Sequence, residues 1–294
     1  MNSTIISQKK ENQTSFFIKE KSKQYALKAA SYFVLILTSL AVLVPFLWML
    51  SASIKLDNDV FEFPVRWIPE NPRWENYKEI WEILPFSIFY KNTAILAVTI
   101  TVLSLITSSL AAYAFSKIKF PGRNAIFICY IGTIAVPFQV YMIPQFIMMR
   151  KLNLTDTLLS LILLQSFSAF GVFLFRQFFI SIPEELSESA RMDGLSEFGI
   201  YLRIILPLAK PAIATLTIFQ FVFVWNNFLE PLVYLTSTDK KTLQLGIRMF
   251  MTQYTADYAL IMAATVVSLI PVVILFFSMQ RFFIEGIATT GIKG

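Results

Sequence analysis

The side chains of this 294-residue chain that could do chemistry are few, and most of them are uncharged. His is absent, and the single cysteine is Cys129. The commonest general base and metal ligand is therefore missing. Zinc, haem and Ser–His chemistry go with it, and one thiol excludes an internal disulfide framework. The polar groups inside long apolar runs are Gln139, then Gln165, Ser166 and Ser168, then Gln220, Asn226 and Asn227. Glu230 and Arg176 stand toward the ends of their runs. Near the C-terminus, Gly286-Ile287-Ala288-Thr289-Thr290-Gly291 has the glycine spacing of a phosphate-binding loop. Such a loop needs Lys and then Ser or Thr directly after the second glycine. Here Ile292 follows, so no ATP site is visible in this chain.

The composition says what positions these groups. The chain is 56% hydrophobic and 15% charged, with 29 Phe. That is more apolar surface than one soluble core hides, and lipid is the natural solvent for it. Six apolar runs cover about residues 29–51, 89–116, 125–149, 158–179, 211–235 and 258–283. Each is roughly 20 residues or more, enough to cross a bilayer as a helix. None alternates with period two, so a β-barrel is excluded. Pro45, Pro137, Pro144 and Pro271 lie within runs, where packed neighbours make kinks tolerable. The fold class expected is an all-α polytopic membrane protein with six transmembrane helices.

Its units are a polar N-terminal tail at 1–28, a first span at 29–53, a loop at 54–88, a core at 89–284 and a short tail at 285–294. The first run is too long, and its polar leader too extended, for a cleaved signal peptide. The net charge of +6 does not point to nucleic acid, because the basic residues lie between apolar runs without an aromatic-interleaved patch. It reads as topology. Of 25 Lys and Arg, 15 fall with the N-terminus, on the side of the loop at 180–210. The positive-inside rule then makes both termini cytoplasmic.

Mid-membrane ionisable groups mark ion and proton routes, and the centres of these spans hold almost none. A proton-driven carrier is disfavoured, and a transporter fuelled from outside the membrane remains. The buried amides have two open readings: a hydrogen-bonding path for a neutral polar solute, or glue between helices. On a continuous helix Asn226 and Asn227 point about 100° apart, so that helix must be largely enclosed. Ser104, Ser108, Ala112 and Ser116 recur every four residues and read as a close-packing stripe. In the loop at 54–88, Asn71-Pro72 predicts a helix start, with Trp74, Tyr77 and Trp81 on one interfacial face.

The loop at 180–210 is unlike a connector. Pro183, Glu184 and Glu185 mark a helix start. Leu186, Ala190 and Met192 supply an apolar edge, and Asp193-Gly194 a stop. Ser196 caps a second helix striped by Phe198, Tyr201, Leu202 and Ile205, with Pro207 ending it and Pro211 opening the next span. Such a pair suits a groove on a partner protein, or lies on the bundle and covers it.

Glu188-Ser189-Ala190, three residues, Gly194, nine residues, Ile204, one residue and Leu206-Pro207 together resemble the EAA motif of ABC importer permeases. Ser189 stands where Ala is usual. Ala190–Gly194, Leu206–Pro211, Trp225–Leu229 and Phe283–Ile287 extend the resemblance to the carbohydrate-uptake branch, of the maltose-permease second-subunit type. Only the N-terminal tail falls outside it. The resemblance implies a type I importer permease (MetI-like) fold in the plasma membrane of a bacterium. It implies a homologous second permease, two ATPase subunits that carry the ATP and Mg, and an extracellular binding protein that delivers a sugar or oligosaccharide. It places Glu188, Ser189, Ala190, Asp193, Gly194 and Pro207 in the element coupled to the ATPase, with Leu186, Leu195 and Phe198 filling its cleft. The pathway residues expected are Gln139, Gln165, Gln220, Asn226, Asn227 and Glu230. A permease for peptide or phosphate is the alternative. A membrane-embedded enzyme lacks a nucleophile, metal site or carboxylate pair.

Overall fold

The computed structural model describes the backbone of residues 2–251 and 257–291, and the side chains of 24, 25, 27–251 and 257–281. Among the described residues every regular element is helical. Helix α1 runs Asn2–Ala52. The polar segment expected as a tail is thus helical in backbone, as its run of Lys, Glu and Gln favours. From Leu27 onward its sides are almost wholly bare, and it touches the rest of the chain near its end, on the last helix.

Helix α2 (Asn76–Ile83) starts four residues beyond the Pro72 expected to open it. Asn76 explains the shift. Its side-chain amide donates to the carbonyls of Ser53 and Lys55 at 3.0 and 2.9 Å, closing the end of α1. Trp74 stacks on Tyr77, whose hydroxyl meets Ser53, while Trp81 turns to Phe86 and Tyr90.

Helix α3 (Phe86–Lys117) is the central post. It packs on α7 (Ala169–Ser181) and α10 (Lys210–Trp225). Ser104, Ser108 and Ala112 are fully buried there, so the small-residue stripe is a packing face. A Cβ on Gly171 would lie 2.5 Å from Ser108 Oγ and 2.9 Å from a Leu216 methyl, so only glycine permits this approach.

Three apolar runs are broken helices. The third is α4 (Arg123–Gly132), a 3-10 turn at Thr133–Ala135, and α5 (Phe138–Lys151), with a bend of 99° at Pro137. The fourth is α6 (Leu158–Gln165) and α7, parted at Ser166–Ser168. The fifth is α10 and α11 (Leu229–Tyr234), parted at Asn226–Phe228. Asn226 and Asn227 therefore do not sit on one continuous helix, which corrects that expectation. Helix α8 (Glu184–Met192) and α9 (Glu197–Leu208) form the loop between α7 and α10. Helix α12 (Leu243–Met249) precedes α13 (Tyr258–Gly291).

The breaks are stitched by neighbours. Thr107 Oγ1 and Ser108 Oγ of α3 donate to the carbonyls of Ser166 and Ser168 at 2.7 and 3.3 Å. Trp225, buried at the end of α10, donates its indole N–H to the carbonyl of Ser268 at 2.9 Å, one turn before Pro271. Asn92 and Thr93 of α3 hold the segment between α11 and α12 through the carbonyls of Asp239 and Lys241 and the N–H of Leu243. Replacing Gly171 by Leu should prise α7 from α3. We expect a loss of about 1–3 kcal/mol or more from overpacking, read as a lowered melting temperature in detergent, with partial recovery in Gly171→Leu/Ser108→Gly.

Candidate functional site

At one end of the bundle, α8 and α9 form the pair expected from the sequence, with caps that can be named. Pro183 precedes α8, and Glu184 and Glu185 occupy its first turn. Gly194 has φ +81°. Its N–H donates to the carbonyl of Arg191, and the Leu195 N–H to that of Ala190, both at 3.0 Å. These are the two bonds of a Schellman stop, which needs a left-handed residue at this position. Ser196 Oγ then accepts the Gly199 N–H at 3.2 Å as the cap of α9.

Helix α9 does not end at Pro207. A π-helical turn over Tyr201–Ile205 precedes Leu206–Leu208. The Leu206 N–H donates to the carbonyl of Tyr201, five residues back, and the wider turn makes room for a ring that an α-turn would exclude. The helix then meets α10 at an angle of 78°.

The two helices divide their faces. Ser187, Ala190, Ile200, Tyr201 and Ile205 are buried against the bundle. This corrects the apolar edge drawn through Ala190 and the stripe drawn through Tyr201 and Ile205: those residues hold the loop in place. Leu195 is half-buried in the same core. Leu186, Met192, Phe198 and Leu202 stand exposed, Met192 by 84%. Glu188, Ser189, Asp193 and Gly194 are exposed too.

The pair is bolted to α3 by charge. Tyr113 donates its hydroxyl to Glu197 at 2.7 Å. Arg191 donates to the two oxygens of Glu197 at 2.7 and 3.5 Å, and to Glu184 at 3.4 Å. Lys117, its side chain 3% exposed, reaches the carbonyl of Ile182 at 2.7 Å and Glu184 at 3.2 Å. A buried ammonium stripped of such partners destabilises a fold by about 3–5 kcal/mol. The Arg191 guanidinium, and after it the Tyr113 hydroxyl, hold the Glu197 carboxyl below the usual carboxylate range. Ser109 and Tyr201 add a hydroxyl pair at 2.7 Å. Arg176, toward the end of its span, donates to the carbonyl of Phe115 and lies 4.1 Å over the Phe127 ring.

Deeper in the bundle the broken spans bring a second set of residues together. Gln165, the last residue of α6, donates its amide N–H to Glu230 in the first turn of α11. The Glu230 N–H donates to Asn227 Oδ1 at 3.3 Å. Tyr234 donates its hydroxyl to Gln145 Oε1 at 3.0 Å. Asp156, with φ +57°, clamps the region from outside. It accepts the N–H groups of Thr236 and Ser237 and the Ser237 hydroxyl, which together keep its carboxyl far below the usual range.

Of the pathway residues expected, Gln165, Asn227 and Glu230 are brought together. Asn226 caps α10 and accepts from Gln244 at 3.4 Å, Gln220 is buried in α10, and Gln139 is exposed in the first turn of α5 and in none of these bonds. Gln145 and Tyr234 were missed; the amide of Gln145 inside an apolar run was the available signal.

A bundle with broken spans and a polar helix pair bolted to one end is the architecture of an importer permease. Residues 104–288 match the family model of the binding-protein-dependent transport system inner membrane component, and the chain belongs to that family. It is a multi-pass membrane protein, a permease subunit of an ABC importer. Among its relatives, the arabinooligosaccharides transport system permease protein AraQ of Halalkalibacterium halodurans is 40% identical over 70% of this chain and 74% of its own length. The sn-glycerol-3-phosphate transport system permease protein UgpE of Yersinia pestis bv. Antiqua is 34% identical over 87% of this chain and 94% of its own. A crystal structure of a bacterial ABC transporter that imports the acidic polysaccharide alginate contains a chain 28% identical, with TM-score 0.77 over 87% of this chain and 96% of that one.

Protonation should loosen the bolt at low pH. Because the folded Glu197 carboxyl titrates below its unfolded value, its contribution is complete above the ordinary carboxylate range. It is lost as pH falls through that range and below. A spin label at exposed position 192 should gain mobility only in that acidic window, whereas Glu197→Gln should be mobile at neutral pH as well.

Proposed function

We propose that this chain forms half of the passage of a carbohydrate importer and carries, on α8 and α9, the element that a motor subunit moves. The observation that carries the reading is the loop itself. Its inner face is locked to α3 through Glu197, Arg191 and Lys117, while Leu186, Met192, Phe198 and Glu188 stand exposed among the described residues. Apolar side chains so placed suit a cleft on a soluble partner. We assign that partner as an ATPase subunit, with a second copy beneath a homologous second permease. ATP and Mg bind there, since no phosphate loop is visible in this sequence.

The basic bias supports a cytoplasmic position for α8, α9 and both termini, in a bacterium. The opposite end, with α2 and α12, then faces an extracellular binding protein, as the family description supports. Carbohydrate is favoured by the arabinooligosaccharide relative and by the neutral amides that meet a carboxylate at the breaks of the fourth and fifth spans. The glycerol-phosphate relative supports a second reading, a polyol phosphate.

The importer, assembled from this chain and the products of neighbouring genes, should take up labelled arabino-, xylo- or malto-oligosaccharide in proteoliposomes, and neither glycerol 3-phosphate nor a dipeptide. Uptake of glycerol 3-phosphate alone would replace the first reading by the second. Gly194→Asp forces a side chain into a left-handed turn and adds charge at the exposed tip. We expect ATPase recruitment or uptake to fall at least about tenfold, the equivalent of ~1.4 kcal/mol; unchanged assembly and uptake would remove the coupling role from this loop.

A further inference from the structure

Helix α1 ends at Ala52, but the chain does not leave the membrane face there. The loop that follows folds back along the helix. The Phe61 ring lies 5.8 Å from the Trp48 ring, and Ser51 Oγ reaches the carbonyl of Arg66 at 3.5 Å. Residues 61 and 66 are thus level with the last turns of a helix long and apolar enough to span a bilayer. Around them Phe63, Val65, Trp67 and Ile68 stand exposed, Phe63 by 90% and Ile68 by 86%. Apolar and aromatic side chains at that level sit well among lipid headgroups and upper acyl chains, and poorly in water.

The same loop closes over a cavity of about 110 Å³ whose wall includes Lys55, Asp59, Glu62, Arg66 and Glu70. Pockets for whole solutes begin at roughly 300 Å³, so this one takes a single small group. Its charges are sorted. Arg66 is taken by Glu70 at 2.8 Å and Glu62 at 3.7 Å. Lys55 is only 3% exposed, yet its ammonium makes no hydrogen bond or ion pair among the described residues. The Asp59 carboxylate has no partner among them either. An ammonium enclosed without an acceptor is costly, and it carries three donors to satisfy. The cavity therefore presents one free cation and one free anion that do not meet each other.

We propose that this cavity holds the headgroup of one phosphatidylethanolamine of the bilayer. The lipid phosphate accepts from the Lys55 ammonium, as a charge-assisted bond. The ethanolamine ammonium lies against Asp59. The acyl chains run down the bare side of α1 beside the exposed strip at 63–68. Charge selects this headgroup. The named wall residues carry two cations and three carboxylates, so a lipid of net negative charge meets repulsion where a zwitterion does not. A choline headgroup has no N–H to give Asp59. The proposal rests on the chain being a membrane protein and is independent of the solute it carries.

The test titrates phosphatidylethanolamine, phosphatidylglycerol or phosphatidylcholine into the assembled importer in detergent and counts bound lipid by native mass spectrometry. Phosphatidylethanolamine should be held most tightly. Lys55→Met should weaken it at least about tenfold and leave the other two lipids unchanged. Asp59 is exposed, so Asp59→Asn leaves the fold intact and decides the matter if Lys55→Met does not assemble. It should weaken phosphatidylethanolamine and narrow its lead over phosphatidylglycerol. In Cys129→Ser protein in a bilayer, a nitroxide at exposed position 68 should be relaxed more by lipid-soluble oxygen than by a water-soluble nickel complex. Excess inorganic phosphate should leave the bound lipid in place. Phosphatidylglycerol held as tightly as phosphatidylethanolamine, or unchanged lipid retention in Asp59→Asn, overturns the proposal. So does a label at 68 that reports water. Displacement of the lipid by inorganic phosphate would make the cavity a free-anion site and overturn it as well.

Discussion

A peptide N–H or C=O left bare in hydrocarbon costs several kcal/mol, so a spanning segment stays helical unless something else satisfies it. This chain breaks three of its six apolar runs, and the rest of the fold follows from how the freed groups are met. Helix α3 does most of that work. Its hydroxyls close the break between α6 and α7, its amide and threonine at the other end hold the segment before α12, and its small-residue face lets Gly171 approach. A straight bundle of six helices would need none of this, and it would have no interior place where backbone and side-chain polarity converge.

The same helix links the two sites. Its tip carries Tyr113 and Lys117, which grip the α8–α9 pair. Its middle carries Thr107 and Ser108, which grip the break beside Gln165. The permease thus has one post joining the exposed face of the α8–α9 pair to the interior where polar groups gather. The outer clamp at Asp156 fixes the far edge of that interior. Glu230 therefore meets Gln165 in a frame held from both ends.

The sequence made the spans legible because lipid demands long apolar runs, and made the α8–α9 pair legible because caps are local chemistry. Pro183, Gly194 and Ser196 do what their types suggest. The breaks were not legible. Ser166 and Asn226 lie inside apolar runs without a glycine beside them, and the hydroxyls that meet the break at Ser166–Ser168 sit some sixty residues away on α3. Which of two polar faces turns inward is likewise decided by packing, which is why Ala190 and Tyr201 proved to be anchors. The π-helical turn before Pro207 was not legible, because a one-residue expansion of the helix has no signature in local propensity, and α9 ends one residue beyond that proline.

The elbow between α9 and α10 has a geometric consequence. Ala209, at the corner, is fully buried and bonded back to Ile205 and Leu206, so it acts as a fixed pivot. The arms are 12 and 16 residues long by their bounds, or about 18 and 24 Å at 1.5 Å per residue. They form a bell crank. A shift of ~2 Å at the Glu197 tip swings the far end of α10 by roughly 3 Å at these arm lengths. That end is Trp225, the last helical residue before the amides, so the elbow sets the lever ratio between the Glu197 tip and the break in the fifth span.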